Sequence, residues 1–477
     1  MHNLVFISTL FTLAGLAFLS ATATITGADE GNIKVIEAKA ESRFPDGIKF
    51  SIKANSNTDI DDIRVFFSKV SQQGRSAYRS VDFEAGHSVI GESLLPSGSG
   101  GEYYPPGTKI EYVFEVRDKA GSVVRTEPAE FVYEDNRFEW DTVVEDLITV
   151  YYYGEYVRNR AEVVLEAAQQ NLEKMLPVLG ITPTDPLRIV SYNNYRHMAA
   201  ALPFRSQAVS EGLQTQGMAF GDERVLLVHG FDPTVTGTVA HEFTHLLVHE
   251  AAGPAISQVP SWLNEGLAEY GNIDPTDDYE AALRYGIFTR RVKPLWYLNV
   301  FSGTPEDIII AYGQGRSVVR YMIDTWGQDR MSALFPVLQQ TLDIDQALLK
   351  VYGLDQYGID SAWRTFMGLE TLPSPTELES QLGNTQDGTI TEIVPPEDGI
   401  PPTAILEITA IPDHTAEAAT GQDTSVGNGE GLAGTESSGC NAPVADAPIS
   451  LGILLILSCP LGLVALPRLR HRWPFTS

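Results

Sequence analysis

The run His241-Glu242-Phe243-Thr244-His245 constrains this chain more than any other feature. Two histidines four residues apart act together only on a helical backbone, where residues i and i+4 lie one above the other on one face. The preceding residues offer a helix start, with Asp232 a good N-cap and Pro233 a good first helical residue. On such a helix both imidazoles can meet one cation, and Glu242 beside the first can reach a water on it.

A third ligand has to come from elsewhere. The chain has two cysteines, Cys440 and Cys459, both near its end, so a metal in the body must rest on histidines and carboxylates. The next helical pattern opens with Pro260 and carries Glu265, with 19 residues between His245 and Glu265. That length allows a helix end, a turn and a second helix crossing back over the first. Two neutral histidines and one carboxylate with one position open make a catalytic rather than a structural zinc site, one ion per chain. Glu269, one turn after Glu265, can accept the outer N–H of a zinc histidine. His249 continues the 241, 245 series but lies ~12 Å along the helix from His241 and cannot share its ion. It reads as a partly exposed polar residue, and His229 as a strand-end residue.

His241-Glu242-Phe243-Thr244-His245 together with Asn264-Glu265-Gly266 resembles the gluzincin metallopeptidases, and more narrowly the peptidase MA-like domains of surface proteins. The resemblance covers residues 138–369. It implies His241, His245 and Glu265 as zinc ligands and Glu242 as general base. Tyr312-Gly313-Gln314-Gly315, ahead of an apolar helical pattern at 318–326, is similar to a stretch of the aminopeptidase branch. There the tyrosine stabilises the oxyanion, a role the resemblance implies for Tyr312. The position six after His245, where metzincins place a third histidine, is Ala251, which excludes that branch. The aminopeptidases also carry a glutamate for the substrate's free amine. The comparable run here, Gln216-Gly217-Met218-Ala219-Phe220, has none, which favours an endopeptidase.

Before this region, up to about residue 134, short runs alternate with period two, as in Ile48–Ile52, Ile63–Phe67 and Ile110–Val116. Turn residues separate them, for example Pro45-Asp46-Gly47 and Pro105-Pro106-Gly107. About seven such strands suggest an all-β immunoglobulin-like or fibronectin-like sandwich over residues 24–136, a spacer or docking module without a chemical constellation. The metallopeptidase region, 137–370, reads as an α+β zincin domain with a helical C-terminal half. Its strands are 187–192 and 224–228, and Val225–Val228 is the candidate edge for pairing with an extended substrate. Trp363 and Phe366 are expected to close its core.

The ends of the chain imply a location. Residues 4–19 are apolar and end near Ala21-Thr22-Ala23, the pattern of a signal peptide (1–23) or an uncleaved anchor. Residues 371–446 hold 13 acidic residues and no Lys or Arg, too polar to bury a core. They read as a disordered tether with roughly 50 Å of reach. An uncharged stretch at 449–466, within a span at 447–467, is just long enough to cross a bilayer. Arg468, Arg470 and Arg472 follow, so the tail 468–477 is expected to be cytoplasmic and the body extracytoplasmic, at the cell surface. The order Gly439-Cys440, apolar span, basic tail also resembles a processed sorting signal.

Across its 477 residues the chain carries 62 acidic against 33 basic side chains, a net charge of −29. Such a surface repels phosphate backbones, which excludes general nucleic-acid binding. The expected function is a membrane-anchored zinc metallopeptidase acting on a peptide or protein substrate. Its rivals are a silent surface-binding protein on a zincin scaffold, and a zinc hydrolase of a non-peptide substrate.

Overall fold

The computed structural model describes residues 32–71, 76–98, 102–203 and 215–373. Period-two burial dominates the first part. Seven antiparallel strands form one sheet: β1 (Ile33–Arg43), β2 (Gly47–Lys69), β3 (Ala77–Ser80), β4 (Gly86–Pro96), β5 (Lys109–Asp118), β6 (Val123–Arg125) and β7 (Ala129–Val132). Two of the short alternating runs belong to the single 23-residue strand β2. Its first half lies between β1 and β4, and its second half pairs with β5 and β3. The register shifts between Asn55 and Asp62 mark the change of partners. Phe50 of the first half lies 6.0 Å from Phe67 of the second and 6.4 Å from Phe114 of β5, between ring centroids. The two halves therefore share one core. The β-rich region is one sheet bent on itself, where two separate sheets of a sandwich were expected, because β2 is long enough to serve both layers.

The second sheet is built from β8 (Trp140–Glu145), β9 (Ile148–Tyr153), then helix α1 (Arg158–Leu179), β10 (Leu187–Tyr192), the short α2 (Tyr195–Ala199), β11 (Gly217–Phe220) and β12 (Val225–His229). Its strand order is β11-β12-β10-β9-β8. The three central strands are parallel and both edges antiparallel. Helix α1 makes the crossover from β9 to β10, as parallel strands require. Alternate residues take opposite faces. Val150, Ile189, Leu226 and Val228 join the helical core, while Tyr153, Val190, Tyr192, Val225 and Leu227 face the other way.

The helical half follows: α3 (Val235–Ala252), α4 (Ser261–Gly271), α5 (Asp278–Phe288), α6 (Pro305–Trp326), α7 (Gln328–Thr341), α8 (Ile344–Tyr352) and α9 (Gln356–Phe366). Helix α6 begins 13 residues before the apolar stretch at 318 that signalled it. The signal for its true start is local: Thr304 and Asp307 form a reciprocal capping box with Pro305 at the first turn. Trp363 is fully buried and donates from Nε1 to Ser317 Oγ at 3.0 Å. Phe366, by contrast, is 62% exposed and only leans on Tyr321, so it does not close the core.

The described residues up to Leu372 form one compact unit. The β-rich region covers the face of the second sheet that the helices leave open. Asp135, fully buried, accepts from Tyr192 Oη at 3.1 Å and from Arg137, and Phe44 joins the cluster around Tyr192. The leader 1–23, the span 447–467, the tail 468–477 and all but the first three residues of the tether lie outside the described residues. Among the described residues no helix is long and apolar enough to cross a membrane.

Candidate metal centre

Helix α3 carries the two histidines. It starts later than Asp232 and Pro233 suggest, with Thr234 at the N-cap. Asp232 Oδ1 accepts from Thr234 N at 2.8 Å and Oγ1 at 2.6 Å, an Asx turn that leads into the helix. The helix is apolar on most of its circumference and is packed on nearly all sides, which puts the histidines in the interior. Gly253, at φ +50°, ends it, and a 3-10 turn (Gly253–Gln258) leads to Pro260 and α4. The chain thus returns across α3 within the 19-residue gap, and Glu265 arrives beside both imidazoles.

The three ligand atoms form a nearly equilateral triangle. His241 Nε2 and His245 Nε2 are 3.2 Å apart, and Glu265 Oε2 lies 3.3 Å from the first and 3.4 Å from the second. A tetrahedral zinc with bonds of ~2.0–2.1 Å separates its ligand atoms by ~3.3 Å, so one ion fits above this triangle with a fourth position left over. Glu265 Oε2 is buried without a hydrogen-bond partner, the state of an oxygen kept for a cation. Among the described residues this is the one such group of three.

The outer nitrogens are held as well. His241 Nδ1 donates to Glu269 Oε1 at 2.7 Å, and His245 Nδ1 donates to Asn264 Oδ1 at 3.0 Å. Each bond leaves a lone pair on Nε2 aimed at the centre. Asn264 stands in the Asn264-Glu265-Gly266 motif, but the sequence assigns it no role. Its signal is its place next to Glu265, which puts it on the adjoining face of α4. Burial alone would lower the pKa of His241, but the carboxylates of Glu265 and Glu269 outweigh it and hold the imidazole at about 10, so a cation takes the Nε2 lone pair by displacing a proton. Burial opposes ionisation of Glu265, yet His245 and His241 bring it down to about 2. Burial raises Glu242, with His245 and His241 opposing.

Glu242 has two differently placed oxygens. Oε2 accepts from the backbone N–H of Ala219 at 3.1 Å, and Oε1 is buried without a partner. Ala219 lies in β11, which is the edge of the sheet next to α3. The expected substrate edge, Val225–Val228, is instead interior: β12 is paired with β11 on one side and β10 on the other. Local alternation could not show this, because strand order depends on contacts distant in sequence.

Tyr312 sits in the middle of α6, 3% exposed, with its ring centroid 6.4 Å from that of His241. It stacks on Tyr279 at 5.3 Å and meets Phe301 edge-on at 5.2 Å. Two glycines bring α6 this close. A Cβ on Gly266 would lie 2.5 Å from Gly315 O, and one on Gly315 would lie 2.7 Å from Trp262 O, so α4 and α6 touch backbone to backbone. Burial, then the carboxylate of Glu265, push the Tyr312 phenol well above its ordinary pKa, and Tyr279 is raised in the same way. His249 lies apart from the cluster, with Nε2 3.1 Å from Asp222 Oδ1. His229 Nδ1 lies 3.0 Å from Gln216 Oε1.

Residues 167–368 match the family model of the Peptidase MA superfamily, and the match spans every residue of this site. No curated protein matches the chain. Two similar solved structures are yeast LTA4 hydrolase. In complex with bestatin it is 10% identical, with 69% of this chain and 66% of that chain covered and a TM-score of 0.30. In native form it is 11% identical, with 71% and 68% covered and a TM-score of 0.28. The Br derivative of BhCBM56 is 15% identical, with 24% of this chain and 98% of that chain covered and a TM-score of 0.15. At these TM-scores the solved structures carry no argument. The family match supports a peptidase MA-like domain.

Proposed function

We propose that the chain is a zinc-dependent peptidase whose ion is held by His241, His245 and Glu265. The observation that carries this reading is the triangle of ligand atoms, 3.2–3.4 Å on each side, with an unpartnered carboxylate oxygen at one corner. When bound, zinc would supply Lewis-acid polarisation of the scissile carbonyl and acidify a water.

The protein's own groups do the rest. Glu242 Oε1 takes a proton from the water and returns it to the leaving amine. The Ala219 N–H on Oε2 keeps that carboxylate turned so that Oε1 is the basic atom. Burial raises its proton affinity and so improves it as a base. Tyr312 stays protonated at neutral pH, so its O–H is available to donate toward the developing oxyanion. Glu269 and Asn264 orient the two imidazoles. An extended peptide would pair with the open side of β11. The run Gln216–Phe220 offers no carboxylate to a free amine, so internal bonds are the proposed targets. Anchoring in a membrane with the body outside rests on the sequence pattern at 449–472 alone.

The test compares the wild-type chain with Glu242→Gln on a mixed peptide library, read by mass spectrometry. The wild type should make internal cuts. Glu242→Gln should keep one zinc per chain and lose turnover by about 10²–10⁴-fold. Equal cutting by both would sink the assignment of the base. No cutting by a zinc-loaded wild type would favour a non-peptide substrate or a binding protein.

A further inference from the structure

The β-rich region makes specific contacts with the catalytic hairpin as well as covering the second sheet. The β11–β12 hairpin, whose turn runs from Gly221 to Arg224, lies along α3. At one end a Cβ on Gly217 would sit 3.0 Å from Glu242 Cγ and 3.1 Å from Thr238. At the other, a Cβ on Gly221 would lie 2.3 Å from the His249 ring, and Asp222 Oδ1 pairs with His249 Nε2 at 3.1 Å. Thr238, Glu242 and His249 share one side of the helix, so the hairpin spans more than two turns of it.

The β-rich region grips the far end of that hairpin. Lys69, at the end of β2 and 8% exposed, binds both Glu223 in the turn and Glu102, with its ammonium 5.6 Å from the centre of the Tyr104 ring. Glu223 is itself buried, so this is a desolvated pair whose loss leaves an uncompensated charge. Ser71 Oγ donates to the carbonyl of Asp222. Tyr103 packs on Phe220, the last residue of β11, at 5.6 Å between centroids, and its hydroxyl donates to Ala201 O.

We infer that Lys69 is a positioning residue for the site: it holds the β11–β12 turn on α3 and so fixes the Ala219 N–H that orients Glu242. The β-rich region is then part of the catalytic apparatus rather than a spacer. Only the kinetic consequence of this inference rests on the peptidase reading. The holding of the strand does not.

The experiment measures amide hydrogen exchange in the full chain for wild type, Lys69→Met, Lys69→Arg and Ser71→Ala. Lys119→Met, which removes an exposed ion pair with Asp59 elsewhere in the β-rich region, serves as control. Lys69→Met should speed exchange at residues 217–220 by at least about tenfold, the effect of losing one charge-assisted hydrogen bond. Exchange in α4 and β9 should stay unchanged, zinc content should stay at one per chain, and kcat should fall more than KM changes. Lys69→Arg should restore part of the protection, and Lys119→Met should change none of it. Unchanged exchange at 217–220 in a folded Lys69→Met chain overturns the inference, as does an equal rise throughout the sheet and helices. Should Lys69→Met not fold, Ser71→Ala decides by the same reading. A wild type without peptidase activity would remove the functional reading and leave exchange at 217–220 to judge the inference.

Discussion

The backbone N–H of Ala219 donates to Glu242 Oε2 at 3.1 Å, while Oε1 of the same buried carboxylate has no partner. One oxygen is thereby tied to the edge strand and the other left without a hydrogen bond. A carboxylate free to rotate would offer either oxygen in many directions. This one is aimed by a main-chain group that no substitution except proline removes.

Ala219→Pro deletes that N–H at an edge strand, a place where proline is tolerated. The variant should fold and bind one zinc per chain. Its kcat should drop by about tenfold or more, the effect of losing a hydrogen bond to a charged group. Steady-state kinetics beside metal analysis decide the matter, and full activity would mean that Glu242 is held by something else.

Glu269 accepts from His241 Nδ1 at 2.7 Å. Glu269→Ala should weaken zinc binding by about 10–100-fold, since outer partners set ligand orientation and basicity. Glu269→Gln keeps an acceptor and should lose less. Competition with a chromogenic chelator measures both, and unchanged affinity in the alanine variant would remove Glu269 from the site.

Tyr312→Phe keeps the stacking on Tyr279 and removes one donor. Zinc content and melting temperature should hold, and kcat should fall by about 10²–10³-fold. A loss confined to stability would mark Tyr312 as a packing residue.

Gly266 faces the Gly315 carbonyl, where an added Cβ would lie 2.5 Å from oxygen. Gly266→Ala must push α4 and α6 apart and should cost about 1–3 kcal/mol. Urea unfolding followed by circular dichroism reads the cost, and a neutral result would show that the two helices can separate freely.

Asp307 caps α6. The N–H and hydroxyl of Thr304, followed by Arg291, bring its carboxyl down to about 2. Its folded pKa lies below the unfolded value of about 3.9, so its stabilisation is complete above that value and is lost as pH falls through about 2. The gap in melting temperature between wild type and Asp307→Asn should be full at pH 6 and close as the pH falls from about 4 toward 2. A gap that stays constant over that range would show that the charge of Asp307 contributes nothing.

The cluster of His241, His245 and Glu265 was readable in the sequence because its geometry is mostly local. The separation of His241 and His245 is the pitch of one helix turn, and Glu265 and Glu269 are spaced the same way on the next helix. Tyr312 could be named only through a resemblance, since nothing in its surroundings at 304–326 tells an oxyanion donor from a packing residue. Its helix start is encoded in Thr304-Pro305-Glu306-Asp307, a polar capping signal that leaves no mark in the apolar periodicity beginning at 318.

The sequence by itself determined the helices, the alternating strands and the residue types that can hold a cation, all of which arise from side chains within about one turn of each other or alternating along one strand. Tertiary structure alone decided that β11 rather than β12 is the edge, that Ala219 binds Glu242, that Asn264 meets His245, and that Lys69 reaches Glu223 across 154 positions. Backbone donors and buried ion pairs leave no periodic trace in a sequence. They exist only once the sheet order and the close approach of distant segments have brought the partners together.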